Sequence, residues 1–269
     1  MDTIFITGAS SGIGKATTRL FQSRGWRVIA TMRDTAKGAD LRNLERVFIL
    51  PVDVTQTKTI EDGVQKSLDL YGHIDVVVNN AGYGLAGPFE ATTEEEITRQ
   101  FQTNVLGLMN VTRAILPHFR QRKSGVIVNI SSMGGRITFP LYSAYHGTKW
   151  AVEGFSEALS HELVEFNIRV KIIEPGTIKT DFYEALVIAK KQGLTVYDRY
   201  IQKIFSSTKK AGQNGASPEL VAQEIYRAVL DGSGRLRYPV GGNGPLLLLL
   251  RRILPESWFI WGIRTFIGD

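Results

Sequence analysis

The sequence predicts a single α/β domain in which helices cover both faces of a seven-stranded parallel sheet. Short runs rich in valine and isoleucine alternate with longer segments of helical periodicity, the order produced by repeated β-strand, helix, β-strand units. Most of these runs are apolar at nearly every position, as strands buried on both faces require. No internal repeat, composition change or Pro/Ser-rich linker divides the 269 residues, so one domain is expected.

The predicted strands share this apolar, β-branched character. They are, in chain order, Thr3–Thr7, Arg27–Met32, Val47–Pro51, Val76–Asn79, Val126–Ser131, Val170–Glu174 and Leu236–Val240. Helices are expected between them. The clearest one begins at Pro218, because Ser217 can cap it and Gly232 follows its last apolar position. Residues 182–215 form a long insertion before this helix, and insertions of that length are usually functional or mobile.

Composition and charge exclude several classes of function. The chain has no cysteine, which excludes a disulfide scaffold, a thiol nucleophile and thiolate metal sites. None of its four histidines lies within four residues of another, so we predict no metal centre. The net charge of +6 comes without dense basic clusters, which argues against a nucleic-acid partner and is compatible with an anionic small molecule.

The two ends of the chain bear on its location. Met1 and Asp2 precede an apolar stretch far shorter than a signal-peptide core, which predicts a cytoplasmic protein. Near the other end, the run Leu246–Leu250 is interrupted by Arg251 and Arg252, so it is too short to cross a bilayer. This apolar and basic segment could contact a membrane surface, close over a pocket, or pack against its own domain or a second subunit.

A glycine-rich turn lies between the first strand and the first helix. Its residues include Gly8, Ser10, Ser11, Gly12, Ile13 and Gly14. Glycines let the main chain approach a pyrophosphate, and the N–H groups at the start of the helix face its negative charge. A plain connecting turn is the alternative. A hydrolase nucleophile elbow is disfavoured by the position on the first strand, and a P-loop by the spacing and by Ala16.

A second constellation lies on a predicted helix that begins near Ala144. Tyr145 and Lys149 are four residues apart and therefore share one helical face. An adjacent ammonium would favour the phenolate and lower the pKa of the tyrosine, making Tyr145 a usable acid or base. Ser131 and Ser132 end the fifth predicted strand, at the sheet edge where ligands of open α/β sheets bind.

Taken together, these motifs resemble the short-chain dehydrogenase/reductase family. The similarity runs from about residue 3 to residue 180 and includes the TGxxxGxG turn, Asn79-Asn80-Ala81-Gly82, the Tyr-x-x-x-Lys pair and Pro175–Thr180. The resemblance implies a doubly wound (Rossmann) fold. It also implies that residues 1–245 form a dinucleotide-binding and catalytic domain, that its lid spans about residues 182–215, and that residues 246–269 extend the same domain.

The resemblance also implies roles for individual residues. Tyr145 would be the general acid/base, Ser132 would hold the substrate oxygen, and Lys149 would lower the tyrosine pKa and hold the nicotinamide ribose. Asn104, in a helix, would position a water that connects Lys149 to solvent. Further cofactor contacts are implied for Asp53, Val54, Asn80, Ala81, Gly82, Pro175, Gly176, Ile178 and Thr180.

The end of the second strand bears on cofactor choice. Dinucleotide sites that prefer NAD usually carry a carboxylate there, whereas a nearby arginine accommodates the 2′-phosphate of NADP. Thr31 and Met32 are uncharged and Arg33 follows them, so NADP(H) is favoured. Asp34 keeps NAD(H) open as an alternative.

The substrate is predicted from the apolar character of the lid. Phe182, Leu186 and Tyr197 are examples of its dense aromatic and branched residues, which favour a lipophilic ketone or secondary alcohol. The same residues could instead form local core. The lid and the end of the second strand look most like the hydroxysteroid and retinol dehydrogenase branch. Alternatives are a 3-oxoacyl reductase and a catalytically silent redox sensor, and the family resemblance implies a homodimer or homotetramer.

Overall fold

The chain folds around a seven-stranded parallel sheet, and the computed structural model describes residues 1–268. The strands are β1 (Thr3–Ile6), β2 (Arg27–Met32), β3 (Val47–Pro51), β4 (Val76–Asn79), β6 (Gly125–Ile130), β7 (Ile168–Pro175) and β9 (Arg237–Val240). Their order across the sheet is β3-β2-β1-β4-β6-β7-β9. The predicted sheet is confirmed, and each predicted strand end lies within two residues of the observed one.

Helices follow the strands in alternation. They are α1 (Gly12–Ser23), α2 (Thr57–Tyr71), α3 (Glu94–Phe101), α4 (Gly107–Arg122), α5 (Ser143–Glu162), α6 (Asp198–Gln213), α7 (Pro218–Leu230), α8 (Gly244–Ile253) and α9 (Glu256–Gly268). A π-helical turn, Gln102–Leu106, joins α3 to α4. The side chain of Ser217 caps α7, as its sequence predicts, by accepting a hydrogen bond from the N–H of Leu220.

The core has one layer on each face of the sheet. Successive residues of a strand point to opposite faces, so Ile4 packs in the layer that contains α7, whereas Phe5 packs in the layer beneath α2 and α4. Both side chains are fully buried. This two-sided burial explains why the strands are apolar at nearly every position, and it leaves the carboxyl ends of the strands as the open edge of the sheet.

The insertion at residues 182–215 contains regular structure that the sequence pattern does not predict. Val187–Ile188 forms the short strand β8, which pairs in parallel with β5 (Leu85–Ala86), and residues 198–213 form α6. Two-residue strands carry no periodicity from which they could be predicted. The pairing attaches the insertion to the segment that follows β4.

The C-terminal helices α8 and α9 pack against the loop that follows β6. Leu248 and Phe259 form an apolar cluster with Ile137 of that loop. Residue 269, the last of the predicted extension, lies outside the described residues. Among residues 1–268, no helix combines the length and the apolar character needed to cross a membrane.

Candidate active site

The turn between β1 and α1 has no room for side chains at two of its glycines. A Cβ on Gly8 would lie 2.8 Å from Cα of Ala81, and one on Gly14 would lie 2.3 Å from the carbonyl oxygen of Gly8. Gly8 also has a φ of +66°, which glycine adopts at least cost. This compact turn leads directly into α1, whose first N–H groups and positive dipole end can hold a pyrophosphate.

The end of β4 is bound to this turn by side chains. Nδ2 of Asn80 donates hydrogen bonds to the carbonyls of Thr7 (2.9 Å) and Gly8 (3.0 Å). The hydroxyl of Thr7 accepts from the N–H groups of Asn80 and Ala81, both at 3.0 Å. The side chain of Asn80 therefore braces the glycine turn, while Ala81 and Gly82 follow beside it. Sequence analysis did not identify Thr7 as part of this brace.

A polar cleft of about 730 Å³ opens at the carboxyl ends of β2 and β3. Arg33, Asp53 and Arg99 are among the residues that line it. Oδ1 of Asp53 accepts hydrogen bonds from the N–H and the hydroxyl of Thr55, at 2.9 and 2.8 Å, which fixes the carboxylate at the cleft. The neighbouring Val54 is buried, and its side chain packs where Gly107 begins α4, so its main chain is the part that can contact a ligand.

The two charged residues after β2 have different surroundings. Asp34 caps the short helical turn Thr35–Leu41, because its Oδ1 accepts a hydrogen bond of 3.0 Å from the N–H of Ala36. Arg33 is exposed at the cleft. The carboxylate that could select NAD is therefore engaged in a local turn, whereas the arginine faces the site.

Tyr145 and Ser132 meet at the carboxyl end of β6. Ser132 follows the strand and Tyr145 lies in the first turn of α5, and their hydroxyls share a hydrogen bond. Oγ of Ser132 also accepts from the N–H of Gly134 at 3.0 Å, which fixes its orientation. Burial raises the pKa of the Tyr145 hydroxyl above its ordinary value, and the bond to Ser132 offsets part of that rise.

Lys149 lies beneath the ring of Tyr145. Its ammonium is 5.8 Å from the ring centre and donates a hydrogen bond of 2.9 Å to the carbonyl of Ile130, at the end of β6. Burial lowers the pKa of Lys149 to about 8, and Glu153 acts in the opposite direction. The predicted lowering of the tyrosine pKa, by Lys149 together with an oxidised nicotinamide, stays a prediction. In this arrangement desolvation of the phenol dominates, and the ammonium donates to a main-chain carbonyl.

Asn104 lies in the π-helical turn and is buried. Its amide oxygen accepts from the N–H of Tyr83 at 3.1 Å, and its amide nitrogen donates to the carbonyl of Tyr83 at 2.9 Å. The same nitrogen donates to the hydroxyl of Thr148 at 3.2 Å. Asn104 thus joins the segment after β4 to α5 directly beside Lys149. The water expected between Asn104 and Lys149 stays a prediction.

The segment after β7 lies beside the glycine turn. A Cβ on Gly12 would be 3.3 Å from Cγ2 of Thr180, and the N–H of Gly176, which follows Pro175, donates to the carbonyl of Val240 at 2.8 Å. The side chain of Ile178 is buried in the core layer that contains α7, so its main chain is the part that can contact a ligand.

Two aromatic rings pack against the ring of Tyr145. The ring of Phe182, from the lid, is 5.5 Å from that of Tyr145, and the ring of His146 is 5.7 Å away. Burial lowers the pKa of His146 to about 4, so this histidine is neutral at pH 7. Its ring bonds to Gly134 and to the N–H of Phe139, each at 2.9 Å, which shapes the loop between Ser132 and Tyr145.

Comparison with known proteins agrees with this geometry. A sequence profile described as short chain dehydrogenase matches residues 2–191. The chain belongs to the short-chain dehydrogenase/reductase family. It is an NAD(P)-dependent oxidoreductase, as the family resemblance of its motifs implied.

Two curated relatives and one solved structure illustrate the similarity. The chain is 39% identical to an uncharacterised oxidoreductase of Schizosaccharomyces pombe, over 88% of this chain and 100% of that protein. It is 35% identical to the 3-ketodihydrosphingosine reductase of Bacteroides thetaiotaomicron, over 98% of this chain and 97% of that protein. The crystal structure of a short-chain dehydrogenase from Streptomyces avermitilis has a TM-score of 0.82 at 34% identity, and the match covers 98% of this chain and 94% of that one.

Several residues that shape this short-chain dehydrogenase/reductase site escaped sequence analysis. Gln100 is fully buried and bonds to Leu85 and Tyr83, at 2.6 and 2.9 Å, which holds the segment after β4 in place. The hydroxyl of Tyr183 bonds to Thr177 and to the main chain of Ile178. Neither residue belongs to one of the family motifs in this sequence. Gln100 lies three residues after Ile97 and therefore on the apolar side of α3, which is the signal that could have identified it.

Proposed function

We propose that this oxidoreductase prefers NADP(H) and interconverts a lipophilic ketone and its secondary alcohol, with Tyr145 as the general acid/base. The observation that supports it most directly is the hydrogen bond between Tyr145 and Ser132, two half-buried residues beside the ring of Phe182. This pair offers two hydroxyls to one carbonyl oxygen, and its apolar surroundings favour a substrate that is itself apolar.

The proposed chemistry follows from the positions of these residues. The nicotinamide, when bound, supplies or accepts the hydride. In the reducing direction Tyr145 donates its proton to the carbonyl oxygen, while Ser132 hydrogen-bonds to the same oxygen and orients it. The raised pKa of Tyr145 keeps the hydroxyl protonated at neutral pH, which suits a proton donor. In the oxidising direction the phenolate would take the proton of the alcohol.

Lys149 contributes in two ways. Its bond to Ile130 fixes α5 against β6 and therefore holds Tyr145 close to Ser132. Its positive charge beneath the ring stabilises the negative charge that develops on the tyrosine oxygen during the reaction. We expect the ribose of the cofactor to bind near the same ammonium.

The preference for NADP(H) is supported by the surroundings of Arg33 and Asp34. Arg33 is exposed at the cleft and can pair with a 2′-phosphate. Asp34 accepts from Ala36 and caps a turn, so a ribose 2′-hydroxyl would have to compete with that bond. An NAD(H)-dependent enzyme is the alternative if the cap opens.

The glycine turn fits a dinucleotide independently of this preference. A Cβ at Gly8 or Gly14 would overlap main-chain atoms, which shows how closely the chain is folded at the point where a pyrophosphate would bind. Asp53 would accept a hydrogen bond from the adenine amine, and residues 175–180 would line the nicotinamide. A homodimer or homotetramer in the cytoplasm remains a prediction from the resemblance and the sequence.

The apolar substrate is supported by the lid and by one relative. Phe182 and Leu186 approach Gly84 so closely that a Cβ there would lie 2.8 and 2.6 Å from their side chains. The lid thus presents apolar groups to the segment that runs past the site. A relative with 35% identity is named for the reduction of 3-ketodihydrosphingosine, which is compatible with a ketone of this class.

The experiment combines cofactor titration with a substrate panel. Purified protein is titrated with NADPH and with NADH by fluorescence, and then supplied with long-chain, steroid, retinoid, aromatic and 3-oxoacyl carbonyls. We expect tighter binding of NADPH and turnover of the lipophilic ketones. Turnover of 3-oxoacyl thioesters alone would favour the 3-oxoacyl reductase, whereas tight binding without any turnover would favour the redox sensor.

A pair of variants tests the mechanism separately. Tyr145→Phe should lower turnover by about 10²- to 10⁴-fold and leave NADPH binding intact. Tyr226→Phe removes a hydroxyl from a tyrosine that packs on Phe21, outside the site, and should have no effect on turnover. Unchanged turnover in Tyr145→Phe would overturn the assignment of Tyr145.

A further inference from the structure

The C-terminal helices bury one side and expose the other. Their inner sides, with Leu248 and Phe259, pack on the cluster around Ile137. Their outer sides expose large apolar residues, which we call the C-terminal face: Leu246, Leu249 and Ile253 of α8, and Trp258, Ile260 and Trp261 of α9. The two tryptophans are 67% and 69% exposed, an extent that is unusual for this residue type.

The spacing of five of these residues places them on one side of each helix, with Ile260 at the flank of α9. Leu246, Leu249 and Ile253 follow the i, i+3, i+7 pattern, and Trp258 and Trp261 are three residues apart. Both helices press their opposite sides onto the same apolar cluster. The two helices also contact each other, so their exposed sides are adjacent.

This surface is also positively charged. Residues 244–269 contain three arginines and two acidic residues, Glu256 and Asp269, and Glu256 is paired with Arg251 at 2.6 Å. Arg252 and Arg264 are exposed next to the apolar residues. The whole chain is positive as well, with a net charge of +6.

We propose that the C-terminal face docks on the surface of a bilayer that contains anionic lipids. Tryptophan side chains prefer the boundary between headgroups and acyl chains, and leucine and isoleucine side chains can bury among the acyl chains below it. The two arginines would meet anionic headgroups at that boundary. A helix pair with one apolar and basic side is the form that lies in the plane of a membrane without crossing it. The lack of a spanning helix among the described residues is consistent with such surface contact.

Charge favours the bilayer over a second copy of the chain. A two-fold dimer through this face would place the same surface of each copy against the other. Arg252 and Arg264 would then meet a surface with the same excess of positive charge, which is unfavourable when the groups lose water. An anionic bilayer instead neutralises both side chains.

Docking would also bring the loop between Ser132 and Tyr145 close to the bilayer. Met133 and Phe139 pack against the cluster that carries α8 and α9, and both lie in the loop between Ser132 and Tyr145. A lipophilic ketone dissolved in the bilayer would therefore have a short path to the site. This advantage rests on the proposed function, whereas the docking itself requires no catalysis.

The test is flotation of the full chain with vesicles. Vesicles of phosphatidylcholine alone are compared with vesicles that also contain phosphatidylserine, and we expect the protein to float with the second kind only. Trp258→Ser/Trp261→Ser should abolish flotation. Because both side chains are exposed, this variant should retain its fold, which circular dichroism and NADPH turnover will check.

A charge pair provides the second arm and its control. Arg252→Ser/Arg264→Ser should weaken binding to phosphatidylserine vesicles by about tenfold or more, since each basic residue near an anionic surface contributes about fivefold. Lys66→Ser/Arg120→Ser removes the same charge from exposed positions on α2 and α4, on the other layer of the sheet, and should float like the unchanged protein.

Three results would overturn the proposal. The first is failure of the unchanged protein to float with either kind of vesicle, and the second is equal flotation of the tryptophan variant. The third is that no protein floats, that sedimentation shows a dimer, and that Trp258→Ser/Trp261→Ser dissociates this dimer. That result would assign the face to a second copy of the chain. Turnover of ketones in any of these cases would leave the proposed function standing.

Discussion

The ammonium of Lys149 donates a hydrogen bond of 2.9 Å to the main-chain carbonyl of Ile130. Ile130 is the last residue of β6, two residues before Ser132, and Lys149 is one helical turn after Tyr145. One side chain therefore connects the strand and the helix that lead to the hydroxyls of Ser132 and Tyr145, to which we assign the proposed catalysis. Lys149 therefore has a structural role in this site in addition to the effect of its charge.

Lys149→Met should lower kcat/KM for ketone reduction by about 10²- to 10⁴-fold, because methionine fills the space but neither donates to Ile130 nor carries charge. The pH profile of kcat/KM separates these contributions. The unchanged enzyme should show an inflection near pH 8, where the ammonium loses its proton, and the variant should lack it. Lys66→Met, at an exposed position of α2, is the control. An identical inflection in Lys149→Met would show that another group titrates.

Arg33→Ala should raise the KM for NADPH by about 10- to 100-fold, the range for a lost hydrogen bond between charged groups, and change the KM for NADH little. Steady-state kinetics with both cofactors measures this ratio. Arg42→Ala removes an exposed arginine beyond the turn that Asp34 caps and should leave both values unchanged. Equal effects of Arg33→Ala on the two cofactors would remove this arginine from phosphate recognition.

Gly14→Ala and Gly154→Ala form a matched pair of substitutions in helices. A Cβ at Gly14 would lie 2.3 Å from the Gly8 carbonyl and 2.6 Å from Nδ2 of Asn80, so the substitution should cost about 1–3 kcal/mol of unfolding free energy and weaken cofactor binding. Gly154 is exposed and a Cβ there meets open space, so alanine should stabilise the protein by about 1 kcal/mol. Urea unfolding measures the change in unfolding free energy for both variants. A change of the same sign in both would contradict the close packing of the turn.

Glu174→Gln should change how stability depends on pH. Glu174 is fully buried in β7, and its pKa is raised to about 7 because of burial and the charge of Glu153, against the pull of Arg136 and Arg237. The folded state then holds a proton that the unfolded state releases between about pH 4.5 and 7, so this group lowers stability as pH rises through that window.

Relative to the unchanged protein, Glu174→Gln should therefore gain up to about 3 kcal/mol in unfolding free energy between pH 4.5 and pH 8. Urea unfolding at both pH values gives this difference. Glu162→Gln, an exposed change at the end of α5, should show no such gain. A constant difference across the two pH values would mean that folding does not raise the pKa of Glu174.

Much of the fold was predictable because its determinants are local. Each strand is a short apolar run, such as Val76–Asn79, whose secondary structure and length can be predicted from its own residues. Its ends are set by neighbouring glycines and polar residues. The glycine turn and the four-residue spacing of Tyr145 and Lys149 are local in the same sense. Such patterns determined the sheet, the sheet edge that carries the site, and the family.

Tertiary packing decided what lies between these segments. Thr7 meets Asn80, and Phe182 reaches Tyr145, across 73 and 37 positions of the chain, and no periodicity encodes such pairs. Packing also opposes the effect that the spacing to Lys149 predicts, because burial raises the pKa of Tyr145. The sequence determined which groups are present and on which elements they lie. Their distances, their exposure to water and therefore their charge depend on how those elements pack, because desolvation and hydrogen bonding act through space rather than along the chain.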